Sequence, residues 1–171
     1  MPTPREPQGP TKGPKEEFIR RIADPDFGEL ELWRWRLVEW RGAASLPDGA
    51  KARMAIMVEE GVAPEDTLRR VTPAARATFR RLAKNEESVR RRIAQRELDT
   101  ARDWAEWRGQ PKPTAESFAA SLRTSAYNIS ADEEGVVIDV WFEDTLDIFA
   151  GRGFYATYDG DGELLGVALF G

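Results

Sequence analysis

The sequence predicts an α+β fold: a mainly antiparallel sheet made of an N-terminal meander and C-terminal hairpins, with two to three helices inserted between them. Three observations predict it. Apolar residues alternate with period two through residues 27–58, recur at spacings of three and four between 72 and 122, and alternate again from 127 onward. Short Asp-Gly turn signals punctuate both alternating stretches. Finally, 171 residues of which 41% are hydrophobic and 32% charged supply one ordinary core and not two.

Taken in order, residues 1–15 carry Pro at 2, 4, 7, 10 and 14, a pattern that excludes helix and central strand. They are expected to be a flexible Pro/Gly-rich leader, with residues 16–171 forming a single α+β domain. Glu16, Glu17, Phe18 and Ile22 read as a short helical turn, and Asp24-Pro25-Asp26 as the turn into a first strand around Glu29–Trp33. Trp35 to Ala43 continues as a second strand, and Ala52 to Val58 as a third beyond the Pro47-Asp48-Gly49 turn. Thr72-Pro73 has the form of a helix start, a Thr cap followed by Pro at the first helical position. Phe79 and Leu82 then share a face, and Asn85-Glu86-Glu87 can cap a second helix that Gly109 and Pro111 end. A third short helix begins near Thr114 and carries Phe118 and Leu122. Beyond it, Tyr127 and Ile129 lie on one strand, and Val136, Ile138, Val140 and Phe142 line one face of the next while Val137, Asp139 and Trp141 line the other. Phe154–Tyr158 and Leu164–Phe170 close the chain as a hairpin about Asp159-Gly160-Asp161-Gly162.

Composition narrows the chemistry. The chain has no Cys and no His, which removes disulfides, thiol nucleophiles, Cys/His zinc sites and imidazole bases together. Neither a membrane span of about 18 apolar residues nor a signal-peptide core is present, so a cytoplasmic protein is expected. The net charge of −5 hides an asymmetry: residues 1–110 hold 22 Lys/Arg against 19 Asp/Glu, and residues 111–171 hold 3 against 11. Ten of the basic side chains fall between 69 and 96.

Three constellations carry possible chemistry. Asp159-Gly160-Asp161-Gly162-Glu163 resembles part of a calcium loop but lacks its third acidic position and bidentate Glu, so a plain hairpin turn is the better account. Asp139, Glu143, Asp144 and Asp147 lie on or just past one strand; Asp139 and Glu143 stand about 13 Å apart on one face and cannot chelate an ion together. They read instead as an acidic docking surface that steers a basic partner, with Trp141 or Tyr155 as its aromatic anchor. The Arg-rich helices, Arg80, Arg81 and Arg91 in particular, offer the alternative of nucleic-acid binding. However, Arg90-Arg91-Arg92 fan around the helix, as ordinary solvation would also require. Gly151-Arg152-Gly153, beside Ile148-Phe149, marks a constrained corner.

At that corner the chain resembles a family. Asp24-Pro25-Asp26-Phe27-Gly28-Glu29-Leu30, the central helices, Phe118 with Leu122, and above all Ile138-Asp139-Val140-Trp141-Phe142 followed by Asp147-Ile148-Phe149-Ala150-Gly151-Arg152 and the closing Gly171 resemble the bacterial domain of unknown function 2262. The resemblance covers about residues 24–171. It implies no established activity; members usually carry His where this chain has Arg152, and similar small acidic proteins often lie beside toxins. It therefore implies a possible immunity role.

The expectation is a non-catalytic protein-binding factor of the toxin-neutralising or a similar inhibitory kind, without metal or cofactor. Its partner would be a protein with a basic surface, met by Asp139, Trp141, Glu143, Asp144, Asp147, Arg152 and Tyr155; no membrane is involved. A carboxylate- or metal-dependent enzyme is the further alternative.

Overall fold

The structure is a computed structural model describing residues 15–25, 27–46, 49–131 and 133–170. Residues 1–14 of the leader, Pro47 and Asp48 of the turn, and residues Asp26, Asp132 and Gly171 lie outside them. Eight strands form one sheet in strict sequence order: β1 (Glu17–Asp24), β2 (Gly28–Arg34), β3 (Val38–Ser45), β4 (Lys51–Met57), β5 (Leu122–Ala131), β6 (Val136–Asp144), β7 (Gly153–Asp159) and β8 (Leu164–Phe170). Every neighbouring pair is antiparallel except β4 and β5. Two four-stranded meanders thus lie side by side along one parallel seam. A parallel pair needs a long crossover, and the helices between β4 and β5 supply it.

β1 corrects the helical turn expected at Glu16–Ile22. Its register shifts between Phe18 and Arg20, so the strand carries a bulge that breaks the period-two pattern and lets apolar residues fall at a helix-like spacing.

Helix α1 (Pro64–Arg96) is 33 residues long, about 50 Å. It starts eight residues before the Thr72-Pro73 signal: Pro64 occupies its first turn with Glu65 and Asp66, whose charges suit the helix N-terminus. Pro73 is inside it. Thr72 donates its hydroxyl to the Leu68 carbonyl at 2.7 Å, and Val71 and Ala75 on either side of Pro73 are fully buried. Packing across the proline therefore outweighs the hydrogen bond and steric fit that it forfeits. Asn85 likewise does not cap a new helix; its amide bonds back to the Arg81 carbonyl within α1. The break comes at Glu97, where φ −101° and ψ 10° leave helical values, and α2 (Leu98–Trp107) follows. Gly109 at φ +68° ends α2, as its position in the sequence predicts. Helix α3 (Ala115–Ser121) opens with a capping box between Thr114 and Ser117.

The helices cover one face of the sheet only. That face contributes Trp40, Ile56, Ile129, Phe142 and Phe154 to the core, against which α1 sets Leu68, Val71, Leu82 and Ile93, all buried. The Trp40 indole donates to the Pro64 carbonyl at 3.0 Å, pinning the start of α1 to β3. Among the described residues no helix is long and apolar enough to cross a membrane. The other face of the sheet has no helix over it and is called the open face below.

Candidate binding face

Strand alternation puts Val137, Asp139, Trp141 and Glu143 of β6 on the open face, opposite the buried Ile138, Val140 and Phe142. Register then decides their neighbours. Trp141 stands between Ala126 of β5 and Tyr155 of β7, and Tyr155 is followed by Ala168 of β8. The Trp141 and Tyr155 rings stack at 5.1 Å between centroids, and Phe170 meets Trp141 edge-on at 4.8 Å. Alanines stand at both ends of this row, and Trp141 and Tyr155 are half-buried. Phe170 is 56% exposed, and the Trp141 indole nitrogen is buried without a hydrogen-bond partner among the described residues. Gly153, at the base of β7, lies so close to the Phe142 carbonyl that a Cβ there would sit 2.7 Å from its oxygen; glycine is what lets β7 close onto β6 beneath the rings.

Two carboxylates flank the aromatic row. Asp139 accepts the Thr157 hydroxyl at 2.7 Å, and Glu143 is exposed and paired in register with Arg123. Asp144 and Asp147 do not join them. The Asp144 carboxylate faces inward, taking the Ser121 hydroxyl at 2.8 Å and the backbone N–H groups of Leu146 and Ile148 at 2.9 and 2.7 Å. It ties the end of α3 to the loop after β6. Asp147 accepts the Gly151 N–H at 2.9 Å and the Arg108 guanidinium at 3.2 Å. Its backbone is left-handed, φ +51°, as is that of Ala150, φ +54°. Such values are unusual for residues other than glycine, and here the contacts of Asp144, Asp147 and Arg108 hold them in place.

Arg152 belongs to this corner and not to the aromatic row. Its guanidinium lies over the Trp104 ring at 5.0 Å, and Trp104 touches both Phe149 and Trp107. Of the seven residues that the sequence singles out for protein binding, the open face assembles Asp139, Trp141, Glu143 and Tyr155. Asp144, Asp147 and Arg152 hold the neighbouring corner. Phe170 was missed, although the alternation Gly166, Ala168, Phe170 at the end of β8 places it on that face.

The arginines of α1 are dispersed. Arg81 bonds the Asp161 carbonyl at 2.9 Å and the Glu163 carboxylate, tying α1 to the β7–β8 turn. Arg91 pairs with Glu87 one turn away. Arg80 shares the face of Arg91, about 16 Å away along the axis, and Arg81 points elsewhere. Arg90 and Arg123 donate to carbonyls at the end of α3, Arg90 to Leu122 and Arg123 to Ala120. The Asp159 carboxylate accepts the N–H groups of Asp161 and Glu163 and so organises the β7–β8 turn. Among the described residues no three acidic side chains are placed to hold a metal ion.

Residues 24–167 match the model of a family described as uncharacterised proteins conserved in bacteria, DUF2262. The chain belongs to this family. The match runs from the end of β1 into β8 and takes in the whole of the corner, so the fold described here, apart from most of β1 and the last residues of β8, is that of a DUF2262 domain. Phe170 lies beyond the matched span. No curated protein and no solved structure matches this DUF2262 chain.

Proposed function

We propose that this DUF2262 protein is a non-catalytic, cytoplasmic binding factor that docks a partner protein on the open face of β5–β8. The observation that carries the reading is the set of three touching rings, Trp141, Tyr155 and Phe170, on a sheet face that no helix covers. Clustered aromatic side chains at the centre of a patch are the usual anchors of a protein interface. Asp139 and Glu143 beside them, in a C-terminal segment with 11 acidic and 3 basic residues, favour a partner whose surface is positive. A toxin is the partner class suggested by the family resemblance; the face itself requires only an apolar contact ringed by positive charge.

The test is capture on immobilised wild-type protein beside a Trp141→Ala/Tyr155→Ala variant of equal stability, with identification of what is retained and measurement of its affinity. A basic protein should bind the wild type, and the double variant should weaken it about 30-fold or more. Asp139→Asn with Glu143→Gln should slow association and flatten its salt dependence. Equal retention by both proteins, or salt-sensitive retention of nucleic acid that Arg80→Glu/Arg91→Glu removes, would overturn the reading.

A further inference from the structure

The opposite face of the sheet holds a second feature, unrelated to the aromatic row. The β2–β3 ladder stops at Glu31 and Arg41, although β2 extends back to Gly28 and β3 runs on to Ser45. Where the two strands part, a cavity of about 750 Å³ runs inward between α1 and the helix-covered face of the sheet. Packed interiors hold few voids larger than a water molecule. Small side chains at Val140 and Thr124 and the parting of β2 from β3 leave this space open. Its volume lies in the range of about 300–1,000 Å³ usual for small-molecule sites.

The lining is that of a site. Phe27, Phe79 and Tyr127 form a continuous aromatic wall, with centroids 5.8 Å apart between the first two and 4.6 Å between the last two. Leu82, Val89 and Phe142 add aliphatic and aromatic surface. The hydroxyl-bearing side chains of Tyr127 and Thr124 interrupt it, and neither hydroxyl makes a hydrogen bond to another described residue. Facing the cavity and unused by the protein, these two hydroxyls are available to a polar group of a molecule that enters it. At the rim, Arg41 is engaged by Glu16 and Glu39, and Glu31 by Arg21, while Glu86 and Lys51 have no ion-pair partner among the described residues. Charges of both signs at the entrance favour neither an anion nor a cation.

We propose that this cavity binds a small, neutral aromatic molecule bearing a carbonyl or hydroxyl group, the ring against Phe27, Phe79 and Tyr127 and the polar group at the Tyr127 and Thr124 hydroxyls. Burial, and then the nearby charge of Glu86, push the Tyr127 hydroxyl up to about 12, so at neutral pH it offers a proton to an acceptor.

The probe is 6-propionyl-2-dimethylaminonaphthalene, a neutral aromatic ketone whose emission reports its surroundings. Titration into the full-length protein should show saturable binding at one site, with emission shifted to the blue. Tyr127→Phe should weaken it about threefold to tenfold, and should leave unchanged the affinity for naphthalene, which has no polar group. Val140→Trp, which intrudes on the cavity beside the aromatic wall, should weaken binding; because that substitution can also disturb packing, Val89→Phe is a second intruding variant, each accepted only with wild-type circular dichroism and cooperative melting. The open-face variant Trp141→Ala/Tyr155→Ala should bind the probe as the wild type does. Absence of saturable binding, undiminished binding in both folded intruding variants, or loss of binding in the open-face variant would overturn the proposal, and none of these bears on the docking face.

Discussion

The two halves of the open face solve the same problem in different ways. Each carries a tryptophan on a strand that no helix covers. In the N-terminal half Trp33 donates its indole N–H to Glu31 at 3.0 Å, meets Phe18 edge-on at 5.5 Å and lies beneath the Arg41 guanidinium at 5.2 Å. Its surroundings are cross-strand ion pairs: Arg21 of β1 with Glu29 and Glu31 of β2, and Arg34 of β2 with Glu17 of β1. In the C-terminal half Trp141 has rings and alanines around it, its N–H is unmet, and among the described residues no ion pair joins β5 to β6, β6 to β7 or β7 to β8. The first half roofs its tryptophan with charge, although Phe18 beside it is 47% exposed. The second packs its half-buried tryptophan against other rings, with Phe170 exposed, and takes its polar anchoring from the corner after β6.

The sharpest way to break this comparison is to remove the polar anchor from each half. Asp144→Ala deletes a carboxylate that accepts three hydrogen bonds and leaves two N–H groups unmet, while the Ser121 hydroxyl falls back on the Phe118 carbonyl. It should cost about 3 kcal/mol in chemical denaturation. Glu39→Ala, which removes one partner of Arg41 on the N-terminal half, should cost less than about 1 kcal/mol, as exposed ion pairs do. Equal costs would mean that the C-terminal half does not depend on its corner.

A smaller effect separates the two tryptophans. Trp33→Phe loses the hydrogen bond to Glu31 and much of the contact with Arg41, and should destabilise by about 1 kcal/mol or a little more. Trp141→Phe removes a buried donor with no partner, so the loss of contact area is offset and the net change should be close to zero. Matched urea melts of the two variants decide it; a larger loss for Trp141→Phe would show that its N–H is bonded in solution.

How much of this is legible in the residues follows from which interactions are local. The faces of β6 and β8 can be read from alternation alone, and so can the placement of Trp141 away from Phe142. The contact between Trp141 and Tyr155 needs the register of β6 on β7, which no single strand encodes. β1 was hidden because its bulge moves Phe18, Ile19 and Ile22 off a period of two. The first turns of α1 were signalled by Pro64-Glu65-Asp66, but Thr72-Pro73 carries a stronger local signal, and only the buried stripe Val71, Ala75, Thr78, Leu82 shows that the helix runs through it. Asp144 and Asp147 read as docking charges because acidic residues are usually exposed. Their roles in holding the corner depend on Ser121 and Arg108, distant in sequence. The cavity leaves no trace in the sequence, since it arises where two strands part.

The smallest effect concerns acid. Arg21, by a hydrogen bond first and Trp33 by another, holds the Glu31 carboxyl below its ordinary value. In the unfolded chain these partners are gone and the carboxyl titrates in the usual range, near 4.3. Between the two values the unfolded state binds the proton that the folded state does not, so the stabilisation is complete above the ordinary value and is lost as pH falls through the depressed one. Glu31→Gln removes that contribution. Its urea midpoint should therefore lie below the wild type's at neutral pH, and the gap should narrow as pH falls from 5 towards 3. Because Glu31 is the acceptor for Trp33, the same variant also weakens the roof over that ring, whereas substituting Glu143 beside Trp141 leaves the stacked rings without a changed polar contact. A gap that stays constant with pH would mean that the Arg21–Glu31–Trp33 arrangement does not persist in solution, and the contrast between the two halves of the face would then rest on the corner alone.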